Sequence, residues 1–390
     1  MKNLVILGFI ILLASCSKNS IDKQASSLQE KEKQYCDFGI KSFSLTKREL
    51  VSTGNGTLSG KRPPGGGGVP PPPPPAGTGV LLLDFDGQMV SGTSWNSAGD
   101  FTCAPANLTA DQINQIVQRV TNDYSPFNVV VTTDEAVFNS TSYKRMRVII
   151  TESWEWFGQA GGTSFLNTFT AGSITPCFVF SSLLNYNTKQ IGEAASHETG
   201  HTLNLRHQSV YDASGVKLSE YNYGQGTGEI GWAPIMGGSY SQNLTLWHYG
   251  PNSLGATSIQ DDAAIIATAL GYRTDDYSNT VSGAAALSTS LNGIINNPSD
   301  LDFFSVNLGA TTTVTLTPFN VGVNNEGADV DLVLRIYNSQ GVLISATNNV
   351  NTLNAVTVLA AGSYYISAGI IANLYTTTYG MIGKYNISLN

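Results

Sequence analysis

Residues 197–207 of this 390-residue chain read His197-Glu198-Thr199-Gly200-His201-Thr202-Leu203-Asn204-Leu205-Arg206-His207. They contain three of the chain's four histidines. On a helix, His197 and His201 lie one turn apart, so both imidazoles can bind one ion. Glu198 lies beside them, where its carboxylate can reach a water molecule at that ion. Two histidines at this spacing also occur by chance on surface helices, but the third histidine argues for a metal site.

His207 can join the other two histidines only if the chain reverses direction after the helix. The helix then has to end after Leu203, and the next residue has to accept a positive φ angle. Asn204 occupies that position, and asparagine follows glycine in its preference for the left-handed conformation. Three neutral imidazoles leave the fourth tetrahedral position of zinc open for water. The stretch therefore predicts a catalytic zinc site rather than a structural one.

This pattern resembles the extended zinc-binding motif HExxHxxGxxH of the metzincin metalloendopeptidases, with Asn204 in place of the glycine. The resemblance implies that His197, His201 and His207 bind zinc. It also implies that Glu198 acts as the catalytic general base.

A second part of the metzincin pattern follows downstream. Metzincins carry a methionine turn beneath the metal, and residues 232–238, Trp-Ala-Pro-Ile-Met-Gly-Gly, fit this turn through Met236. Met236 can equally be an ordinary core residue, and the two interpretations are compatible. Some metzincins place a tyrosine two residues after the methionine, where it stabilises the oxyanion. Here Tyr240 lies four residues after Met236, which leaves open whether Tyr240 has that role.

Residues 79–275 alternate between strand and helix patterns, which predicts an α/β domain with a largely parallel sheet. The expected strands are residues 80–85, 129–132, 147–151 and 177–180, and the expected helices are residues 109–124, 189–203 and 259–270. Thr109 and Gln112 form a capping box at the start of the first helix. Residues 161–169 predict an edge strand, which in metzincins pairs with an extended substrate. The predicted fold is thus a metzincin-like α/β zincin catalytic domain.

Residues 276–390 contain short strands separated by Gly, Asn and Ser, which favours an all-β sandwich domain. This region is similar to the bacterial pre-peptidase C-terminal domain, and the similarity rests on Asp300, Asp302, Phe303 and Phe304 and on residues 361–365. Four aspartates of the region could bind calcium at an edge of the sandwich, namely Asp300, Asp302, Asp329 and Asp331. The alternative is that these carboxylates are simply solvated strand ends.

The N-terminus predicts export from the cytoplasm. Residues 1–15 combine a basic Lys2 with a short apolar run, which is typical of a signal peptide. Residues 13–16 resemble the bacterial lipobox, which implies that Cys16 is acylated and anchors the protein to a membrane of the cell envelope. We expect this membrane to be the outer membrane and the protein to face the periplasm or the exterior. Ordinary cleavage nearby is the alternative. Residues 16–78, rich in Pro and Gly, predict a disordered tether.

Three further cysteines would lie in an oxidising compartment. Cys103 and Cys177 both fall in the region expected to fold, so they are the predicted disulfide pair. Cys36 falls in the tether, where a free or intermolecular thiol is the simplest interpretation. A metal-capping role for the Cys36 thiolate before activation is the alternative.

The formal net charge of −8 disfavours a nucleic-acid-binding protein. We expect a monomeric zinc endopeptidase that acts on extracellular or periplasmic proteins. One rival is a surface-binding or adhesion module that keeps a zinc site without turnover.

A second rival follows from Asp84-Phe85-Asp86-Gly87, which looks like the opening motif of haloacid-dehalogenase-type phosphatases. That chemistry also needs a downstream lysine and an acidic pair after a strand, and neither is convincingly present in the sequence.

Overall fold

The computed structural model describes residues 77–322 and 326–390 and the backbone of residues 35–37. The predicted signal peptide, Cys16 and nearly all of the predicted tether lie outside the described residues. Within the described part of the chain, each helix is too short or too polar to cross a bilayer.

Over the residues that the structure describes, the N-terminal domain combines strands with four α-helices. Its strands are β1 (Tyr35–Asp37), β2 (Gly79–Asp84), β3 (Gln88–Val90), β4 (Phe101–Cys103), β5 (Val129–Thr132), β6 (Arg145–Thr151), β7 (Gly162–Phe165), β8 (Cys177–Phe180), β9 (Val210–Tyr211), β10 (Lys217–Ser219), β11 (Trp232–Pro234), β12 (Leu244–Leu246), β13 (Tyr249–Pro251) and β14 (Ile259–Asp261). Its helices are α1 (Ala110–Asp123), α2 (Glu135–Asn139), α3 (Thr188–Thr202) and α4 (Asp262–Leu270).

Six of these strands form the main sheet, in the order β1-β7-β8-β6-β2-β5. The strands β8, β6, β2 and β5 run parallel to one another. All six residues of β2 are buried, as expected for a parallel strand that is covered on both faces. Strand β7 runs antiparallel to β8, and β1 runs antiparallel to β7. The structure therefore places Tyr35–Asp37 in a strand, although the sequence predicted only a tether there.

Helices α1 and α3 cover one face of the main sheet and share its larger core. The predicted capping box is confirmed, because Thr109 accepts from the backbone N–H of Gln112 while the Gln112 side chain accepts from the Thr109 N–H. The last predicted helix starts later than expected. Residues 259–261 form β14, and the Asp261 carboxylate caps α4 by accepting from the Ala264 N–H at 2.8 Å.

The predicted disulfide between Cys103 and Cys177 is wrong, because both thiols are free and buried. Cys177 lies in the core beneath α1 and α3. Cys103 lies in a separate core on the other face of the sheet, where it packs with Phe178 and Phe180. Successive side chains of a strand point to opposite faces, so Phe178 faces Cys103 while Cys177 faces away from it. The sheet itself separates the two sulfur atoms.

The C-terminal domain consists of two sheets that share one core. Its strands are β15 (Ala285–Ala286), β16 (Ser290–Ile295), β17 (Asp302–Leu308), β18 (Thr312–Pro318), β19 (Leu332–Tyr337), β20 (Leu343–Thr347), β21 (Ala355–Leu359), β22 (Gly362–Ile370) and β23 (Gly383–Leu389). One sheet has the order β15-β17-β22-β19-β20 and the other has the order β16-β23-β18-β21. Side chains from both sheets fill the space between them, as in a β-sandwich.

Strands β11 and β12 connect the two domains. Trp232, Leu244 and Leu246 belong to the core of the C-terminal domain, whereas Ile235 and Met236 belong to the core beneath α1 and α3. The indole N–H of Trp232 donates to the Tyr375 carbonyl at 2.7 Å, and the Thr245 N–H donates to the Ala328 carbonyl at 3.1 Å. Residues 232–246 therefore pack with both cores at once.

A protein that ends at residue 275 should lose cooperative unfolding, because the deletion uncovers the apolar side chains of β11 and β12. Each lost large side-chain contact costs about 2–5 kcal/mol, and a domain has only about 5–15 kcal/mol in total. Thermal unfolding followed by near-ultraviolet circular dichroism measures this. A protein that begins at residue 77 is the control: of the described strands it loses only β1, at the edge of the main sheet, so it should keep one cooperative transition. An unchanged unfolding transition in the protein ending at residue 275 would contradict the coupling between the cores of the two domains.

Candidate metal centre

Helix α3 brings two of the three histidines together. His197 and His201 are fully buried on this helix, and the centroids of their rings lie 4.7 Å apart. The helix ends at Thr202, close to the predicted end. Its inner face is held against α1, since the Tyr124 hydroxyl donates to the Ser196 carbonyl at 2.9 Å. The spacing of one turn therefore places both imidazoles on one side of a fixed helix.

The predicted reversal at Asn204 is confirmed. Asn204 has a φ angle of +77°. Its N–H donates to the His201 carbonyl at 2.8 Å, and the Leu205 N–H donates to the Gly200 carbonyl at 3.0 Å. These two bonds form the Schellman motif, which ends a helix through one left-handed residue. The reversal directs the chain back toward the helix, so that His207 reaches the other histidines.

The three imidazoles form a compact group. The ring centroid of His207 lies 5.2 Å from that of His197 and 4.8 Å from that of His201. One potential ligand atom from each histidine lies within 4.8 Å of the other two. All three side chains are buried, and the group could hold one metal ion.

The Nδ1 atom of each ring has a protein partner, which determines the ring's orientation. His197 Nδ1 lies 2.8 Å from the Ile235 carbonyl, and His201 Nδ1 lies 2.8 Å from the Leu205 carbonyl. A carbonyl can only accept, so both Nδ1 atoms carry the proton and both Nε2 atoms present a lone pair. Such partners of metal-binding imidazoles set the tautomer and the ring orientation.

His207 has a carboxylate partner instead of a carbonyl. Its Nδ1 lies 2.7 Å from Glu220 Oε1, and the Lys217 ammonium donates to the other oxygen of Glu220 at 2.7 Å. The Nε2 atoms of His201 and His207 are buried and have no hydrogen-bond partner among the described residues. A bound ion would satisfy these two buried nitrogen atoms.

Burial keeps the imidazoles of the helix neutral. It lowers the pKa of His197 and of His201 well below the usual value, and the positive charge that neighbouring histidines would carry lowers both pKa values further. Neutral imidazole is the form that binds a metal ion. The two side chains are thus in the ligand form at neutral pH.

Glu198 is fully buried and lies against strand β7. The Ser164 hydroxyl of this strand donates to Glu198 Oε2 at 2.5 Å. A Cβ atom at Gly162 would lie 2.7 Å from Glu198 Cγ, so only glycine allows this close approach. On its other side, β7 pairs with β1, in a register that sets Cys36 opposite Ser164. The metal-capping role considered for Cys36 depends on its side chain, which lies outside the described atoms.

Met236 lies directly beneath α3. It is fully buried, and a Cβ atom at Gly200 would lie 2.5 Å from its sulfur atom. Tyr240 packs against the same core. Burial, and to a smaller extent the charge of Glu198, raises the pKa of Tyr240 well above its usual value, so its hydroxyl stays protonated.

Two residues near the histidines were not expected from the sequence. Glu220 contacts His207, and the Tyr221 ring centroid lies 4.5 Å from that of His207. Both residues follow a short hairpin formed by β9 and β10, and no motif marks them. The contacts arise because the hairpin folds back onto the third histidine.

The aspartates expected at a calcium site do not form one group. Asp331 accepts from the Asn373 amide at 3.0 Å. Asp329 is buried near Asp123. Burial, together with the charge of Asp123, raises the pKa of Asp329 well above its usual value. The interpretation as solvated strand ends is also wrong, because all four aspartates are buried.

The Asp84 of the phosphatase-like motif forms an ion pair with Arg147 at 2.5 Å.

The His207→Ala variant should lose most of its bound metal and retain its fold, because α3 keeps its own packed face. Metal content measured by mass spectrometry, together with circular dichroism, checks this expectation. The matched control is His248→Ala. His248 is the fourth histidine and packs against Trp232, outside the three-histidine group. Full metal occupancy in His207→Ala would remove His207 from the site.

The Asn204→Gly variant should bind metal as well as the parent does, whereas Asn204→Val should bind it more weakly. A β-branched residue at positive φ is strained by about 1–3 kcal/mol, and relief of that strain would displace His207. Neither substitution touches a ligand, so metal affinity measured by competition with a chelator reports the turn itself. Equal affinities in the two variants would contradict this account.

No model of a known protein family matches this chain, and no curated protein matches it. Among solved structures, the chain is similar to the pre-peptidase C-terminal domain of collagenase from Bacillus anthracis, with 14% identity, a TM-score of 0.20, and coverage of 30% of this chain and 98% of that one. It is also similar to Aeromonas hydrophila PliG, a periplasmic lysozyme inhibitor of g-type lysozyme, with 15% identity, a TM-score of 0.17, and coverage of 29% of this chain and 93% of that one. Neither similarity, at these TM-scores, identifies a family for this chain.

Proposed function

We propose that this protein is a zinc-dependent endopeptidase with a metzincin-like catalytic domain. It would cleave extended segments of extracellular or periplasmic proteins, as a monomer anchored to the bacterial envelope through Cys16. The observation that carries the proposal is the buried group of three imidazoles next to a buried glutamate that is held by a sheet strand. The catalytic assignment does not depend on the anchor.

The donor set fits zinc. Zinc prefers imidazole nitrogen in tetrahedral sites, and three protein ligands leave one position open. His197, His201 and His207 supply three imidazoles, each with Nδ1 engaged by the protein. Bound there, zinc would polarise the scissile carbonyl and acidify a water molecule. Because three protein ligands leave one tetrahedral position open, this group disfavours a structural zinc site, in which the protein supplies all four ligands.

Glu198 is the residue that moves the proton. It follows His197 directly on α3, and the Ser164 hydroxyl holds one of its oxygens. The carboxylate accepts the proton of the attacking water and then delivers it to the leaving amine, as general base and then general acid. Ser164 orients the carboxylate in both steps. Tyr240, whose hydroxyl stays protonated, is a candidate donor to the oxyanion.

Strand β7 supports an extended substrate. Its outer side already pairs with three extended residues of β1, in an antiparallel register. A substrate segment bound there would gain main-chain hydrogen bonds in the same way, by adding a strand to the sheet. It would take the place of β1 and pass beside Glu198. This arrangement favours cleavage within a chain over attack on a small molecule.

The Glu198→Gln variant should keep its metal and lose about 10²- to 10⁴-fold in kcat, because the amide cannot accept the proton. Cleavage of a proteome-derived peptide library, followed by mass spectrometry, measures the activity, and metal analysis measures the ligand set. Asp111→Asn is the control, since it removes one exposed charge at the start of α1. Near-normal turnover in Glu198→Gln would contradict the assignment of Glu198 as the general base. A zinc-loaded parent that cleaves no peptide would favour the adhesion module instead.

A further inference from the structure

The third imidazole is carried by a stretch of main chain without regular secondary structure. Arg206 and His207 follow the end of α3 and belong to neither a helix nor a strand. The Glu220 carboxylate holds the imidazole of His207, but the main chain that carries this imidazole needs support of its own. The support comes from a side chain of β14, which lies 54 residues further along the chain than Arg206.

Gln260, the middle residue of β14, is buried and binds both main-chain polar groups of Arg206. Its Oε1 atom accepts from the Arg206 N–H at 2.9 Å, and its Nε2 atom donates to the Arg206 carbonyl at 2.7 Å. The side-chain amide thus bonds Arg206 as the opposite residue of an antiparallel strand would. The main-chain N–H can only donate and the carbonyl can only accept, so the orientation of the amide follows from these two partners.

These two bonds act on two of the three imidazoles. The Arg206 N–H belongs to the same planar peptide group as the Leu205 carbonyl, which lies 2.8 Å from His201 Nδ1. The Arg206 carbonyl belongs to the next peptide group, whose nitrogen is that of His207. A rotation of the first peptide group would move the partner of His201, and a rotation of the second would move the main chain of His207.

Asp262 holds the Gln260 amide in place. It is fully buried at the start of α4. Its Oδ1 atom accepts from Gln260 Nε2 and from Gln208 Nε2, each at 2.9 Å, and its Oδ2 atom accepts from the His248 N–H at 2.9 Å. With three donors around it, the Asp262 carboxylate has a fixed position, and the Gln260 amide bonded to it is fixed as well.

The main chain is also held on the other side of His207. The Gln208 N–H donates to the Met236 carbonyl at 2.8 Å, and the Gln208 carbonyl accepts from the Asn222 N–H at 2.7 Å. These partners are main-chain groups. On the Arg206 side the partner is a side chain, so a substitution can remove it and leave the main-chain contacts of Gln208 in place.

We propose that Gln260 is a positioning residue for His201 and His207, and that Asp262 keeps Gln260 in place. The inference rests on the proposed function in one respect, namely that the three-histidine group binds zinc. Gln260 acts through the main chain, since its amide bonds the two peptide groups on either side of the Arg206 Cα atom. Its removal would leave the three ligands in the chain but loosen the arrangement in which they meet.

The Gln260→Met variant of the purified full chain tests the proposal, because methionine has a similar volume and makes none of the three hydrogen bonds. We expect its zinc affinity, measured by competition with a chelator, to fall about tenfold or more, as when other partners of metal-binding groups are removed. We also expect a changed visible absorption spectrum of the cobalt-loaded variant, since this spectrum depends on the number and arrangement of the ligands. A role in folding alone would not change that spectrum.

Gln208→Met is the matched control. It removes a second buried amide that donates to Asp262, but this amide has no hydrogen bond to Arg206 among the described residues. Its zinc affinity should stay within about threefold of the parent, and its cobalt spectrum should be that of the parent. Near-ultraviolet circular dichroism of the metal-free proteins shows whether each variant folds. Gln260→Glu is the second variant, which keeps the volume and the bond to the Arg206 N–H and should still weaken zinc binding.

The positioning role is overturned if the folded Gln260 variants bind zinc as tightly as the parent and give its cobalt spectrum, or if Gln208→Met weakens zinc binding as much as Gln260→Met does. A parent that binds zinc and cleaves no peptide would overturn the endopeptidase alone, because the affinities and spectra would still support the positioning role. A parent that binds neither zinc nor cobalt would overturn both.

Discussion

The left-handed conformation of Asn204 is the constraint on which the three-histidine group depends. The Schellman bonds around it end α3 and turn the chain toward His207. The same reversal places the Leu205 carbonyl 2.8 Å from His201 Nδ1, so it orients an imidazole of the helix as well. One backbone conformation thus determines the position of one imidazole and the tautomer of another. Asn204 acts through the backbone, since its N–H donates to the His201 carbonyl and its φ angle sets the direction of the chain.

The orientation of His197 depends on the second domain. Its Nδ1 lies against the Ile235 carbonyl, and the Ile235 N–H donates to the Leu246 carbonyl at 2.8 Å. Leu246 is part of the core of the C-terminal domain. A shift of that core would therefore move the carbonyl that holds His197. This chain of contacts explains how a β domain that supplies no histidine can still support the site.

Polar contacts beneath α3 also cross the domain boundary. Arg119 of α1 forms an ion pair with the buried Glu193 of α3 at 3.3 Å, and its other nitrogen donates to the Glu326 carbonyl at 3.5 Å. The Asn122 amide donates to the Gly327 carbonyl at 3.3 Å. Removing one partner of a buried pair is far more costly than the net value of the pair, so this network favours a single arrangement of the two domains.

The sequence by itself determined the features that depend on a few neighbouring residues. The capping box of α1, the end of α3 and the positive φ of Asn204 follow from local backbone hydrogen bonds, which side-chain type controls directly. Only the tertiary structure decided which distant residues meet. It placed Cys103 and Cys177 on opposite faces of a sheet and Glu220 against His207, and it grouped Asp275 with Asp300 and Asp302. Such contacts depend on strand order and on which face of a strand a side chain occupies, and a linear pattern carries neither.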